Sequence, residues 1–288
     1  MNRQTIIFFH LVKTGGITLR NILKRQLPPG RRFYKLSVSS ADDAAVLESF
    51  KSLPQEEKDR IGVLAGHMPF GLHKYFSAPC CYVTILRDPT EVIASTYYYI
   101  KNSGPGRYWH KEIPQLDTMS LRDFAAADFN LTRNHQTRML SGGWGTFFAP
   151  SQPLAPDALT RAKYNLQNNF KAVGVTERFD ETLLAMKKIF GWRNTFYFKE
   201  NTTPTKKEAG AIPQEVKEII LKNNELDFEL WKFADALLDK SILGLGPYFQ
   251  SDLSRFQRAN AVYGAIYRVF LFGKALVFYS RKSRLFAK

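Results

Sequence analysis

The sequence predicts an α/β fold in which a mostly parallel β-sheet is flanked by helices and followed by a basic helical tail. Three observations lead there. Short apolar runs alternate with stretches of helical periodicity, the pattern of βαβ units. A glycine-bearing loop follows the first of these runs directly. With 44% hydrophobic and 23% charged residues, the 288-residue chain has the make-up of a globular protein with one large domain. That composition excludes disordered and fibrous classes. The only cysteines, Cys80 and Cys81, are adjacent, which excludes a disulfide-built secreted scaffold and points to a reducing, cytoplasmic compartment.

In chain order, Thr5–His10 (TIIFFH) reads as a fully buried strand. The run is too short for the apolar core of a signal sequence. Leu11–Gly16 is a loop, and residues 18–27 read as a helix with Leu19, Ile22, Leu23 and Leu27 on one face. Pro28-Pro29-Gly30 stops it. Residues 42–60 are polar and helical, 61–66 (IGVLAG) form a second buried strand ending at His67, and 80–86 (CCYVTIL) form a third. Asp88-Pro89-Thr90-Glu91 then opens a helix to about Lys101, with an N-cap carboxylate and proline in the first turn. A loop covers 103–118. Helices are expected at 120–127, 130–140 and 157–169, the last two separated by a Gly- and Pro-rich segment, 141–155. Residues 172–175 and 195–198 read as strands, 179–190 and about 213–239 as helices, and 199–210 as a polar loop.

The net charge is +15, and residues 253–288 hold eight basic residues and no acidic one. This divides the chain into a domain of residues 1–250 and a basic, aromatic extension, 251–288. The extension suits either a docked amphipathic helix or peripheral contact with an anionic membrane. Its most apolar stretch is interrupted by Arg268 and Lys274, so no transmembrane helix is expected. The basic charge on the rest of the chain favours an anionic ligand.

Strand, glycine loop and helix make a cradle for such an anion. Glycines let the backbone approach the ligand, and free N–H groups at the helix start carry the positive end of its dipole. Lys13 adds a charge, and Thr14 and Thr18 add hydroxyls. The Lys precedes Gly15-Gly16, unlike the G-x-x-x-x-G-K-[ST] order of nucleotide triphosphatases. A second anion motif stands at the end of the 80–86 strand. Arg87 offers a planar fork suited to phosphate, and Ser95 lies two turns into the next helix. Two such motifs on one sheet suggest one ligand with two anionic groups.

HLVKTGGITLRNIL resembles the 5′-phosphosulfate loop of sulfotransferases, and TILRDPTEVIASTYYYIK resembles their 3′-phosphate motif. The order K-T-G-G, G-H-x-P-F and R-D-P…S…Y-Y-Y is similar to the branch of heparan and uronyl 2-O-sulfotransferases and their bacterial relatives, over roughly residues 5–240. The resemblance implies a P-loop-type fold, the donor 3′-phosphoadenosine 5′-phosphosulfate (PAPS), and no metal. It assigns Lys13, Thr14, Gly15, Gly16 and Thr18 to the 5′-phosphosulfate and Arg87 and Ser95 to the 3′-phosphate. The 199–207 loop, with Lys206 and Lys207, would close over the nucleotide. The expected reaction is in-line transfer of a sulfuryl group to a hydroxyl, most naturally of a glycan.

Transfer to an alcohol needs a base. His67, at a strand end in Gly66-His67-Met68-Pro69-Phe70, is the candidate, since a neutral imidazole accepts a proton at physiological pH. The branch places a catalytic His in a comparable segment. His10 competes, as it ends the first strand; His73, His110 and His135 are expected to cap, to face acceptor or solvent, and to be structural. Lys13 would neutralise the bridging oxygen. Two other classes remain open on sequence: a kinase-like phosphotransferase on a related fold, and a non-catalytic membrane-surface binder acting through the tail. No pattern for nucleic-acid binding is evident.

Overall fold

The computed structural model describes residues 4–38, 44–103, 113, 115, 118–198 and 211–285, with side chains as far as Arg268. Five strands, β1 (Thr5–Phe9), β2 (Arg32–Lys35), β3 (Ile61–Gly66), β4 (Cys80–Leu86) and β5 (Phe170–Val175), form one sheet. Its order is β2-β3-β1-β4-β5, and each pairing is parallel. The central strands are buried on both faces, as parallel sheets covered by helices must be. Ile7, Phe8 and Phe9 of β1 have no exposed surface; each such side chain contributes about 1.5–3 kcal/mol by burial.

Helices α1 (Gly16–Arg25), α2 (Ala44–Lys51), α3 (Gln55–Asp59), α4 (Pro89–Lys101), α5 (Leu121–Ala126), α6 (His135–Leu140), α7 (Ala158–Asn168), α8 (Phe179–Phe190), α9 (Gln214–Asn223), α10 (Glu225–Gly244) and α11 (Phe249–Leu285) surround the sheet. α4 begins as its sequence demands: the Asp88 side chain accepts from the Thr90 N–H at 2.7 Å, with Pro89 in the first turn. α5 carries a full capping box, Ser120 with Asp123.

Several elements differ from the sequence reading, each for a local reason. β2 is a short edge strand of two Arg/Lys and two aromatics (RFYK), with no alternation to betray it. The 42–60 helix is two helices, broken before Pro54, which cannot donate to a continuing ladder. The 130–140 helix starts only at His135. Asn134 ahead of it is left-handed (φ 47°), and the Thr132 hydroxyl donates to the Ala127 carbonyl, a local bond that competes with helix. The 213–239 helix is α9 and the first part of α10, interrupted at Asn224. That side chain donates to the Thr132 and Ile220 carbonyls and accepts from the Asn134 N–H. Residues 195–198 join no strand ladder.

Two apolar cores result. The larger lies on both faces of the sheet and takes in Phe249, Leu253 and Phe256 from the first turns of α11. The smaller gathers Val12, Ile93, Tyr97, Ile113, Phe124, Leu131, Phe147, Phe148, Val216 and Ile220. Val12 belongs to the glycine loop, so this second core packs directly on the C-terminal end of β1. Among the described residues no helix is long and apolar enough to cross a membrane.

Candidate functional site

β1 is followed in the chain by β2 on one side of the sheet, and β4 by β5 on the other. The connections therefore diverge between β1 and β4, and it is outside the C-terminal ends of strands at such a switch point that α/β sheets bind ligands. The Lys13 loop and Arg87 stand there.

The loop is shaped for an anion. Lys13 (φ 59°) and Gly15 (φ 80°) are both left-handed, a conformation that costs a non-glycine residue roughly 1–2 kcal/mol. Thr14 is fully buried and its hydroxyl donates to the Leu11 carbonyl at 3.0 Å, pinning the turn from inside. α1 then starts with no side-chain cap and no acidic residue in its first turn. Its leading N–H groups thus meet no carboxylate of the helix's own first turn, and the dipole favours an anion there. α4 is the opposite case, since Asp88 and Glu91 already occupy its N-terminus. Gly16 is a steric requirement: a Cβ there would fall 1.7 Å from His10 Nε2. The Lys13 ammonium lies 4.2 Å from the centre of the Tyr99 ring, a cation–π contact. Burial, helped by the Arg87 charge, holds its pKa down to about 8.

The two motifs meet. Arg87 Nη1 donates to the Lys13 carbonyl at 2.9 Å, and Nη2 to Glu91 at 2.9 Å. The ion pair with a local carboxylate thus exists, alongside the bond to the loop. The Arg87 backbone is clamped by Gln136, whose amide accepts from its N–H at 3.1 Å and donates to its carbonyl at 2.8 Å. Gln136 is held in turn by Asp227, which accepts from the Gln136 and Thr137 N–H groups at 2.9 and 2.7 Å and so caps α6 from α10. Glu91 and Ser95, four apart, lie along one face of α4, and Arg87, just ahead of the Asp88 cap, pairs with Glu91. Ser95 is buried.

Behind the loop is a stack of imidazoles. His10, against Gly16, stacks on His67 with ring centroids 4.4 Å apart and planes at 23°. His67 Nδ1 lies 2.7 Å from the His10 carbonyl. A carbonyl can only accept, so Nδ1 bears the proton and Nε2 keeps the lone pair. Phe147 meets His67 edge-to-face at 5.4 Å and His135 at 5.3 Å. Burial pushes His67 down to about 4, with Lys35 and Arg20 adding to the shift and the His10 bond opposing it. Burial, then the His67, Arg20, Lys13 and Lys35 charges, hold His10 well below its ordinary value. Burial takes His135 to about 3. All three rings are neutral at physiological pH.

Lys13, Thr14, Gly15, Gly16 and Thr18 run from the loop into the first turn of α1, Arg87 is bonded to Lys13, and His67 stacks on the His10 ring behind Gly16, while Ser95 sits two turns into α4. Lys206, Lys207 and His110 lie outside the described residues. His73 belongs elsewhere, bonded to the Tyr82 hydroxyl. Sequence reasoning missed Glu91, Tyr99, Gln136 and Phe147. The repeat of four in Arg87-x-x-x-Glu91-x-x-x-Ser95 was available as a signal for the first. Gln136 and Phe147 come from distant segments, which no local pattern links to Arg87 or His67.

The family model described as Galactose-3-O-sulfotransferase matches residues 1–261. The chain belongs to this family. Among curated relatives, bovine (Bos taurus) galactosylceramide sulfotransferase is 23% identical over 281 residues, covering 90% of this chain and 62% of the relative. Pig (Sus scrofa) galactose-3-O-sulfotransferase 2 is 26% identical, over 65% of this chain and 49% of the relative. Human heparan-sulfate 6-O-sulfotransferase 2 is 27% identical, over 54% and 29%. The chain thus spans less than two thirds of the length of these relatives. A solved mouse sulfotransferase, SULT7A1 complexed with PAP, aligns over 94% of this chain and 89% of its own at 12% identity and a TM-score of 0.36. The resemblance to sulfotransferases stands, and the family model that matches is the galactose-3-O one. For this galactose-3-O-sulfotransferase family member, the loop and Arg87 meet through the bond from Arg87 Nη1 to the Lys13 carbonyl.

Proposed function

We propose that the chain transfers a sulfuryl group from PAPS to a hydroxyl of a carbohydrate acceptor. The observation that carries this reading is the Arg87–Lys13 bond, which joins an anion-binding helix start and an arginine fork into one site with two grips. The 5′-phosphosulfate would lie on the first-turn amides of α1, with Lys13 beside it; the 3′-phosphate would lie against Arg87 and Ser95. Lys206 is assigned to the same donor by the loop position alone.

In the transfer, the acceptor oxygen bonds to sulfur while the bond from sulfur to the bridging phosphate oxygen breaks, leaving adenosine 3′,5′-bisphosphate. Charge grows on the bridging oxygen, and the Lys13 ammonium neutralises it. Preorganised donors of this kind do most of the work in the related phosphoryl transfers. The acceptor proton goes to His67 Nε2, whose partner nitrogen is held by the His10 carbonyl. No step requires a metal. The acceptor is a glycan in keeping with relatives named for galactosylceramide and heparan sulfate.

The test is transfer of radiolabelled sulfate from PAPS to a panel of galactosides, glycosaminoglycans and simple alcohols. Label should appear on a glycan and require PAPS. Transfer of the γ-phosphate of ATP, with no sulfate transfer, would replace the reading by the kinase-like one.

A further inference from the structure

Thr18, at the start of α1, borders a second feature. A cavity of about 300 Å³ opens on the exposed face of α1, lined by Thr18, Asn21, Arg25, Tyr197, Phe198, Tyr263 and Tyr267. Thr18, Asn21 and Arg25 are spaced three and four apart, so they form one stripe along the helix. The opposite wall is aromatic and comes from α11. Tyr263 and Tyr267 stack at 6.0 Å with planes at 16°, Tyr263 stacks on Phe196 at 5.9 Å, and Tyr267 leans on Phe198 at 5.5 Å. This wall is tied down: Tyr197 N–H donates to Asn260 at 2.8 Å, Arg25 donates to the Tyr263 hydroxyl at 3.4 Å, and Phe196 stacks on Phe256 of the core.

We propose that α11 is part of the donor site, with Tyr263 and Tyr267 forming the wall against which the purine base of the donor lies. This rests on the donor reading above. A ligand whose phosphate sits on the first turn of α1 has its next portion beside Thr18, at the mouth of this cavity. The volume is at the small end for ligand pockets, fit for a single base rather than a chain of sugars. Flat rings favour a flat partner, and base–aromatic stacking is worth about 1–3 kcal/mol per base. Asn21 offers a donor and an acceptor to a base edge, and Arg25 adds donors. The family match covers residues 1–261, so both tyrosines lie beyond the matched region, and in this reading the basic tail begins as a ligand-binding element.

The experiment titrates adenosine 3′,5′-bisphosphate into the full-length protein and into Tyr263→Ala/Tyr267→Ala, Tyr263→Phe/Tyr267→Phe and Asn21→Trp variants. Inorganic pyrophosphate, which has no base, serves as a competing probe. The double alanine variant should lose at least tenfold in affinity, the double phenylalanine variant should stay within about threefold, and pyrophosphate should bind all of them alike. Asn21→Trp fills the cavity from the α1 side while leaving every residue of α11 unchanged, and should also lose at least tenfold. Wild-type binding with unchanged constants in the alanine and tryptophan variants would overturn this inference and leave the donor site standing. Absence of binding to the wild type would overturn the donor reading itself.

Discussion

The Arg87 guanidinium reaches across the switch point and donates to the backbone carbonyl of Lys13, 74 residues away, at 2.9 Å. The ends of β1 and β4 are thus joined by a side chain that also faces the expected phosphate. Removing it should loosen the loop and delete a charge together. Arg87→Ala is expected to weaken adenosine 3′,5′-bisphosphate by about 10- to 100-fold, as charge-assisted hydrogen bonds of ~1.5–3 kcal/mol imply. Glu91→Gln removes the competing carboxylate and should tighten the same ligand a few-fold. Calorimetric titration reads both; an unchanged constant in Arg87→Ala would remove Arg87 from the site.

Lys13 gives a pH dependence. Its ammonium is held at about 8 by burial and by Arg87, so it is charged at neutral pH and neutral well before an ordinary lysine would be. Donor-product affinity should fall as pH rises through about 8, with proton uptake on binding above that value. Lys13→Arg, which does not titrate in this range, should abolish the dependence.

The base supplies the other limb. His67→Ala should lower kcat by about 10²- to 10⁴-fold, the usual worth of a positioned base, while the dissociation constant of adenosine 3′,5′-bisphosphate stays as in the wild type. Because kcat/KM follows the free enzyme, its acid limb should fall near pH 4, the value burial imposes on His67. Together with Lys13 this makes a profile flat from about 5 to 7. Wild-type turnover in His67→Ala would move the role to His10, whose alanine variant is assayed beside it.

Gly16 tests the packing behind the loop. Gly16→Ala puts a methyl group where His10 Nε2 stands, 1.7 Å away, so His10 must leave its stack on His67. Transfer should drop at least 100-fold and donor-product binding should weaken. Gly244→Ala, whose Cβ meets nothing within 4 Å, is the control and should behave as wild type.

Stability should decline in acid for a related reason. A histidine whose folded pKa lies below 6.5 stabilises the fold above 6.5 and loses that contribution as pH falls towards its folded value. His67 at about 4 and His135 at about 3 both act this way. Asp227, raised to about 6 by burial, acts in the opposite direction between 3.8 and about 6. The thermal midpoint should therefore fall as pH drops below 6.5, and His135→Phe should flatten the fall.

What the sequence makes legible is what local chemistry decides. The apolar runs of β1, β3 and β4, the Asp88-Pro89 start of α4 and the Gly15-Gly16 turn all act within a few residues of themselves, and they stand where expected. The 213–239 helix failed because Asn224 prefers bonds to Thr132 and Asn134, some 90 residues earlier. The RFYK strand exists only because β3 is beside it. The site divides likewise: Lys13, Arg87 and His67 sit at strand ends and are readable from order alone. Gln136, Phe147 and the Tyr263–Tyr267 wall are brought in by tertiary packing, and nothing adjacent in the chain announces them.

The Asp227 carboxylate bears on how the molecule is made. It seats the amides at the head of α6, and through Gln136 it fixes the arginine at the end of β4. Both the loop and that arginine leave the ribosome long before residue 227 does. A nascent chain therefore carries the Lys13 loop and Arg87 unassembled through most of synthesis, and they are locked into register only when the late helix docks.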